Sequence, residues 1–228
     1  MTNRRPAPCI ISNPCARISG FVSLLLVTLM SGGCSGLLHR DAVVDQTYLL
    51  RPPPSPPAVA TPVSAAPSLR IGRTLAAPGL ESDRVLLVRS DHRMDYFAGS
   101  RWVAPIPQMI EDLAAATLRE TGAWSSVHDS QGAFPTDYFL QLDIRRFEAD
   151  YSAGEVPKIF VVLDCTLGKR ADREAVKHFV AQSSVSADAN RMSSVIDAFE
   201  SASQTALSMI AERTVQLLVN TPAAARSP

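Results

Sequence analysis

The sequence predicts an α+β domain, with an antiparallel or mixed β-sheet and two amphipathic helices packed on one face. Three observations carry that reading. Short apolar runs of strand length, several alternating with period two, stand on both sides of a segment whose apolar residues recur every three or four positions. A second, longer segment of helical period closes the pattern. Turn-forming residues separate the runs, giving strands, helix, strands, helix, an order that suits helices laid on one side of a sheet.

Residues 46–51 read as a strand. Residues 52–67 hold seven prolines. Proline fixes φ and withholds a donor, so this insertion is expected to be extended, as a surface spacer or, alternatively, a proline-motif docking segment. Leu69 and Ile71, with Arg73, Thr74 and Leu75, suggest a short strand stopped near Pro78-Gly79. Residues 84–89 and 94–97 form the arms of a hairpin turning at 90–93. Gly99-Ser100 is expected to break the second arm before Arg101-Trp102.

From Pro105 the period changes. Ile106, Met109, Ile110, Leu113, Ala116 and Thr117 form one helical face, with Glu111, Asp112, Arg119 and Glu120 outside it. Thr121-Gly122 stops this helix. After a short strand at 124–127, three long strands are expected at 138–147, 159–167 and 175–185. The turns at 154–157 and 168–172 make them an antiparallel meander. A helix over 191–219 carries Met192, Val195, Ile196, Phe199, Ala206, Ile210, Leu217 and Leu218 at helical spacing, and a frayed tail, 220–228, follows.

Of the 228 residues, 46% are hydrophobic, ample for one packed domain over 46–219 and incompatible with disorder throughout. Basic and acidic side chains number 22 each. Residues 1–33 hold Arg4, Arg5 and Arg17 and no acid, leaving 19 basic against 22 acidic side chains, a net charge of −3. That balance offers no footprint for nucleic acid and no polybasic grip on anionic lipid.

The three arginines precede an apolar run, 18–30, and the small residues Ser31-Gly32-Gly33 before Cys34. This is the layout of a secretory signal peptide over 1–33; the run is short for a permanent span, which takes about 20 apolar residues. Ser31-Gly32-Gly33-Cys34 resembles a bacterial lipobox, which implies that Cys34 becomes the acylated first residue of a lipidated tether, 34–45. Ser31 departs from the usual leucine at its position, leaving an ordinary cleaved signal or an uncleaved anchor as alternatives. Ser35, rather than aspartate, implies by the same resemblance sorting to the outer membrane. Cys9 and Cys15 would leave with the signal peptide and Cys34 would be blocked by lipid. Cys165 then remains alone, in an apolar run, as a small buried hydrophobe with no internal disulfide available.

No constellation carries catalysis. Asp91, His92 and Asp95 form the richest polar cluster, but they fall in the hairpin turn, and no second histidine group has ligand spacing. There is no Gly-x-Ser-x-Gly elbow and no glycine-rich phosphate loop. No catalytic residue, cofactor or metal site is assigned. Arg101-Trp102 admits two readings. In one, Trp102 is buried under the helix start and Arg101 bonds carbonyls or stacks on a ring. In the other the pair anchors a neighbouring subunit, since Trp and Arg are enriched at interface hot spots.

Together these elements resemble the ABC-type transport auxiliary lipoproteins, the group that includes paraquat-inducible protein C. The residues carrying the resemblance are Cys34, the strand Tyr48-Leu49-Leu50, the runs 69–75 and 85–89 linked through Gly79-Leu80, the spacing from Tyr96 to Arg101-Trp102, the proline-led helix 105–120 and the strand near 124–127. The proline insertion departs from the family pattern. The resemblance implies a fold like the N-terminal domain of TolB and a lipid-anchored protein facing the periplasm. Its partners would be an MCE-domain protein and an ABC permease/ATPase complex moving phospholipid or other hydrophobic molecules, with a homo-oligomeric ring possible for the chain itself. Tyr96, Arg101 and Trp102 are the candidates for a subunit contact. The alternatives from other classes are a structural lipoprotein of a secretion or fibre-assembly system and, last, a periplasmic hydrolase.

Overall fold

The computed structural model describes residues 45–54, 66–171 and 174–220. The expected signal peptide, Cys34 and the tether up to residue 44, most of the proline insertion and the tail from 221 lie outside the described residues. In chain order the elements are β1 (Gln46–Tyr48), β2 (Ser68–Ile71), β3 (Leu75–Ala76), β4 (Arg84–Val88), β5 (Met94–Trp102), α1 (Ile106–Glu120), β6 (Ser126–His128), β7 (Tyr138–Asp150), β8 (Lys158–Lys169), β9 (Glu174–Ser186) and α2 (Met192–Asn220).

One mixed sheet holds all nine strands. Its centre is β7, which pairs antiparallel with β8 along its whole length, and β8 pairs antiparallel with β9. These strands are the expected meander. The other edge of β7 is shared by three short parallel partners in succession: β2 at residues 138–140, β3 at 143–144 and β4 at 149–150. β6 extends the sheet beyond β2, and β5 then β1 extend it beyond β4. The fold class is the expected α+β arrangement, in its mixed form.

Alternation decides which face is covered. Leu140, Leu142, Ile144 and Phe147 of β7 and Ile159, Val161, Leu163, Cys165 and Leu167 of β8 are fully buried. Their neighbours on the opposite parity, Gln141, Asp143, Val162, Asp164 and Thr166, are only partly covered. A β-strand sends successive side chains to opposite faces, so one face meets the helices and the other meets solvent. Val195, Phe199, Ala202, Ala206 and Ile210 of α2 join the buried sheet residues and those of α1 in one core.

The structure corrects four local expectations. Residues 69–75 form two strands rather than one, separated at Gly72, whose N–H donates to the carbonyl of Leu140 at 2.9 Å. A Cβ on Gly72 would lie 2.3 Å from Cζ of Phe139, so the Phe139 ring occupies the space that any larger residue would need. Gly99-Ser100 does not end β5. Gly99 adopts φ 64° and the pairing with β4 shifts from Leu86↔Tyr96 to Arg84↔Arg101, so the strand bulges and continues. The strand expected at 124–127 begins at Ser126, because Trp124 turns inward, 5.8 Å from Tyr138 ring to ring. Glu111, expected outside the apolar face of α1, is buried: its two carboxylate oxygens accept the N–H groups of Thr74 at 3.1 Å and Ser130 at 3.0 Å. A buried carboxylate is tolerated where such donors replace water.

Candidate partner interface

The bulge in β5 assembles the surface that carries two of the expected contact residues. Tyr96 and Arg101 are five positions apart, yet both reach Arg84. Arg101 is its antiparallel pair, and the Arg84 guanidinium lies 3.9 Å from the centre of the Tyr96 ring. That stacking of a planar cation on an aromatic face holds Tyr96 half-buried, with its hydroxyl 3.5 Å from the carbonyl of Gly79.

Arg101 bonds carboxylates rather than carbonyls. Its guanidinium reaches Asp83 at 3.2 Å and Asp45 through a second nitrogen. Its side chain remains 46% exposed, and exposed pairs of this kind contribute only about 0–1 kcal/mol each. Their consequence is positional. Asp45 immediately precedes β1, so Arg101 ties the entry to β1 to the β4–β5 pair. Parallel pairing adds to the same tie, as Gln46, Thr47 and Tyr48 lie opposite Ser100, Arg101 and Trp102. Asp45 and Asp83 escaped the sequence reading because no local pattern marks an aspartate that pairs with an arginine 56 or 18 residues away.

Two exposed aliphatic residues border this polar cluster. Leu49 is 63% and Val103 55% exposed, and the N–H of Val103 donates to the carbonyl of Tyr48 at 2.9 Å. Tyrosine, arginine and exposed aliphatic side chains gathered in one place are the makings of a protein contact surface.

Trp102 is not part of that surface. It is 1% exposed, and its ring lies 5.7 Å from Phe147 of β7 and 5.2 Å from Phe199 of α2, both edge-on. Of its two sequence readings the packing supports the buried one, because alternation sends Trp102 inward where Arg101 points outward. The subunit-anchor reading of Trp102 is thereby corrected.

The polar turn is likewise occupied by local partners. Asp91 pairs with Arg93 at 2.5 Å and Asp95 with Arg89 at 2.9 Å, while His92 takes φ 64° at the tip. The Arg89 guanidinium and the N–H of Tyr96 hold the Asp95 carboxyl below the usual carboxylate range. Among the described residues no three His, Cys, Asp or Glu side chains converge as a metal site would require. Cys165 is fully buried, and burial pushes its thiol up to about 12, far from the thiolate that a nucleophile needs.

Residues 48–211 match the model of a family described as the ABC-type transport auxiliary lipoprotein component. The chain belongs to this family. Among solved structures, the auxiliary lipoprotein chain is similar to a Xanthomonas campestris protein of the family DUF330, with a TM-score of 0.67 and 21% identity over 80% of this chain and all of that one. An uncharacterized protein gives a TM-score of 0.60 at 13% identity, covering 75% of this chain and 99% of its own. At such identities the likeness is one of fold. No curated protein matches the sequence. The auxiliary lipoproteins are a transport family rather than an enzyme family, and membership associates this chain with a membrane-anchored place in the cell envelope. No helix among the described residues is long and apolar enough to cross a membrane.

Proposed function

We propose that this chain is an outer-membrane lipoprotein facing the periplasm, acylated at Cys34 and acting without catalysis of its own. It serves an ABC transporter that works with an MCE-domain protein to move phospholipid or another hydrophobic cargo across the envelope. The observation that carries this reading is the family match over residues 48–211. The sequence around Cys34, with an arginine-bearing start, an apolar run and Ser31-Gly32-Gly33, supports the anchor.

The chemistry asked of the chain is positional. Lipid on Cys34 holds it at the membrane, each buried methylene contributing about 0.8 kcal/mol, and several acyl chains make the anchor stable. Ten residues lie between Cys34 and Asp45, a reach of at most about 40 Å at full extension. Arg101, through Asp45 and Asp83, holds the start of β1 against the domain. In this reading the surface of Tyr96, Arg84 and Arg101 beside Leu49 and Val103 is the contact face. It is available to a transporter subunit or to a second copy in a ring.

In-cell crosslinking followed by purification from the native envelope tests this reading. Acylated Cys34 with a crosslinked MCE or permease subunit is the expected result. Acylated protein crosslinked only to secretion or fibre components would replace transport with a structural role, and unmodified Cys34 would remove the anchor.

A further inference from the structure

β9 is 13 residues long, and among the described residues no strand pairs with its outer edge. We infer that this edge pairs antiparallel with the β9 edge of a second copy of the chain, about a two-fold axis at Gln182. β9 and β5 lie on opposite sides of β7 in the sheet, so this contact is separate from the surface of Tyr96 and Arg101. Nothing in it depends on which transport system the chain serves.

Backbone direction is the first observation. β9 runs against β8 in unbroken register from Lys177↔Leu167 to Ser186↔Lys158, and the register shift falls beyond that stretch, at Gly168↔Ala175. One step past Ser186, the N–H of Ala187 donates to the carbonyl of Pro157 at 3.0 Å. In an antiparallel strand, residues of one parity bond the neighbour on one side and residues of the other parity face the opposite side. The odd-numbered residues of β9 therefore bond β8. His178, Val180, Gln182, Ser184 and Ser186 direct their N–H and C=O groups to the open side. The far side of β8 agrees, since there an even-numbered residue, Arg170, donates to the carbonyl of Asp137 at 2.9 Å. All five outward-facing residues of β9 are exposed.

The second observation is that this edge carries no protection. Sheet edges that stay single are short, bulged, broken by proline or studded with charge. Residues 178–186 read His-Phe-Val-Ala-Gln-Ser-Ser-Val-Ser, with no proline, no Asp, Glu, Lys or Arg, and no bulge. A row of free donors and acceptors on so regular an edge is matched by another extended backbone.

Register selects a second copy as that backbone. Laying 178–186 antiparallel on itself sets Gln182 opposite Gln182, Val180 opposite Ser184 and His178 opposite Ser186, so each outward donor meets an acceptor. Lys177 then falls opposite Ala187 of the second copy, beside its exposed Asp188. Among the described residues neither Lys177 nor Asp188 has a salt-bridge partner. Self-pairing thus brings a lysine to a carboxylate at both ends and sets no like charges face to face, and complementarity of this kind fixes register.

Disulfide trapping in the full-length mature protein, in its native envelope, tests the pairing. Directly opposed residues of such a pair have Cα atoms about 5.5 Å apart, within the span of about 4.4–6.8 Å that a disulfide bridges. Cys165 is buried and stays out of the reaction. Gln182→Cys alone is expected to give a disulfide-linked homodimer on mild oxidation, and Val180→Cys only when co-expressed with Ser184→Cys. With Gln182→Cys in place, Val180→Lys plus Ser184→Lys sets lysine against lysine twice and is expected to lower the dimer yield about tenfold. Val180→Lys plus Ser184→Glu sets lysine against glutamate and is expected to keep the yield within about twofold of the parent, which separates repulsion from misfolding. Arg101→Gln is expected to leave the yield unchanged. No link from Gln182→Cys, a link to a different polypeptide, equal trapping by Val180→Cys alone, or equal loss in both lysine variants overturns the inference.

Discussion

The indole of Trp102 stands edge-on to the ring of Phe199, their centres 5.2 Å apart and their planes at 79°. Phe147 completes the cluster, 5.7 Å from Trp102 and 5.0 Å from Phe199. Three elements meet there: the end of β5, the middle of β7 and the first half of α2. The residue next to the clamp on Asp45 is therefore the one that locks the sheet to its long helix.

Trp102→Ala should lower stability by about 3–5 kcal/mol, the usual loss when a large buried aromatic is truncated. Among the described residues the Trp102 indole N–H has no hydrogen-bond partner. Trp102→Phe should consequently cost less than the alanine variant, since it shortens the ring without stranding a polar group. Thermal melts of the two variants check the order. Near-wild-type melting of Trp102→Ala would contradict the packing.

Arg101→Gln should behave in the opposite way. Its carboxylate partners are at least partly exposed, so a loss of no more than about 2 kcal/mol is expected from breaking both pairs. Crosslinking to partners in the envelope should fall while the melting temperature stays close to that of the parent. Tyr96→Ala should follow the same pattern. A large drop in melting temperature with crosslinking retained would assign both residues a purely structural role.

Ser68 and Asp137 give the fold an acid-sensitive staple. The N–H and hydroxyl of Ser68 both donate to Asp137 at 2.7 Å, and the Asp137 N–H donates back to the Ser68 hydroxyl at 3.0 Å. The backbone donor of Ser68, then its hydroxyl, lower the Asp137 carboxyl below 3.8. A depressed carboxylate contributes its stability in full above the unfolded value and loses it as pH falls through the folded one. Asp137→Asn should therefore be less stable than the parent by about 1 kcal/mol near neutrality. The gap should close as pH falls below about 4. Melting curves at pH 7 and pH 3 test this; a gap independent of pH would contradict it.

Gly72→Ala should destabilise the sheet by about 1–2 kcal/mol, because the added methyl meets the Phe139 ring at 2.3 Å. Phe139 is only partly buried and its ring can give way. Pairing the change with Phe139→Ala should then recover part of the loss. A double-mutant cycle measures the coupling, and strict additivity would show that the two residues do not meet.

Cys34→Ser should release the protein from the membrane fraction and leave it as unlipidated precursor, with no labelling by a radioactive fatty acid. Retention of the serine variant in the membrane fraction would show that acylation is not what anchors it.

The long elements were legible because each satisfies a local rule. Residues 138–147 alternate apolar and polar side chains, residues 159–167 are largely apolar on both faces as a central strand is, and Met192–Asn220 repeats its apolar positions at helical spacing, so each element is written in its own pattern. The short parallel strands were less legible. β2, β3 and β4 are two to five residues long and exist because β7 offers each of them a stretch of free edge. The same limit applied to the candidate site. Arg101-Trp102 stood out as a dipeptide, yet its division into one surface residue and one core residue depends on the register of β5 after the bulge at Gly99. By itself the sequence determined the class of fold and the order of its main elements. Tertiary structure alone decided that Glu111 turns inward to bond two loops and that Arg101 clasps Asp45 and Asp83. The reason is physical: periodicity records which side of an element is buried, whereas a hydrogen bond or ion pair between residues 18, 37 or 56 positions apart depends on where separate elements come to rest.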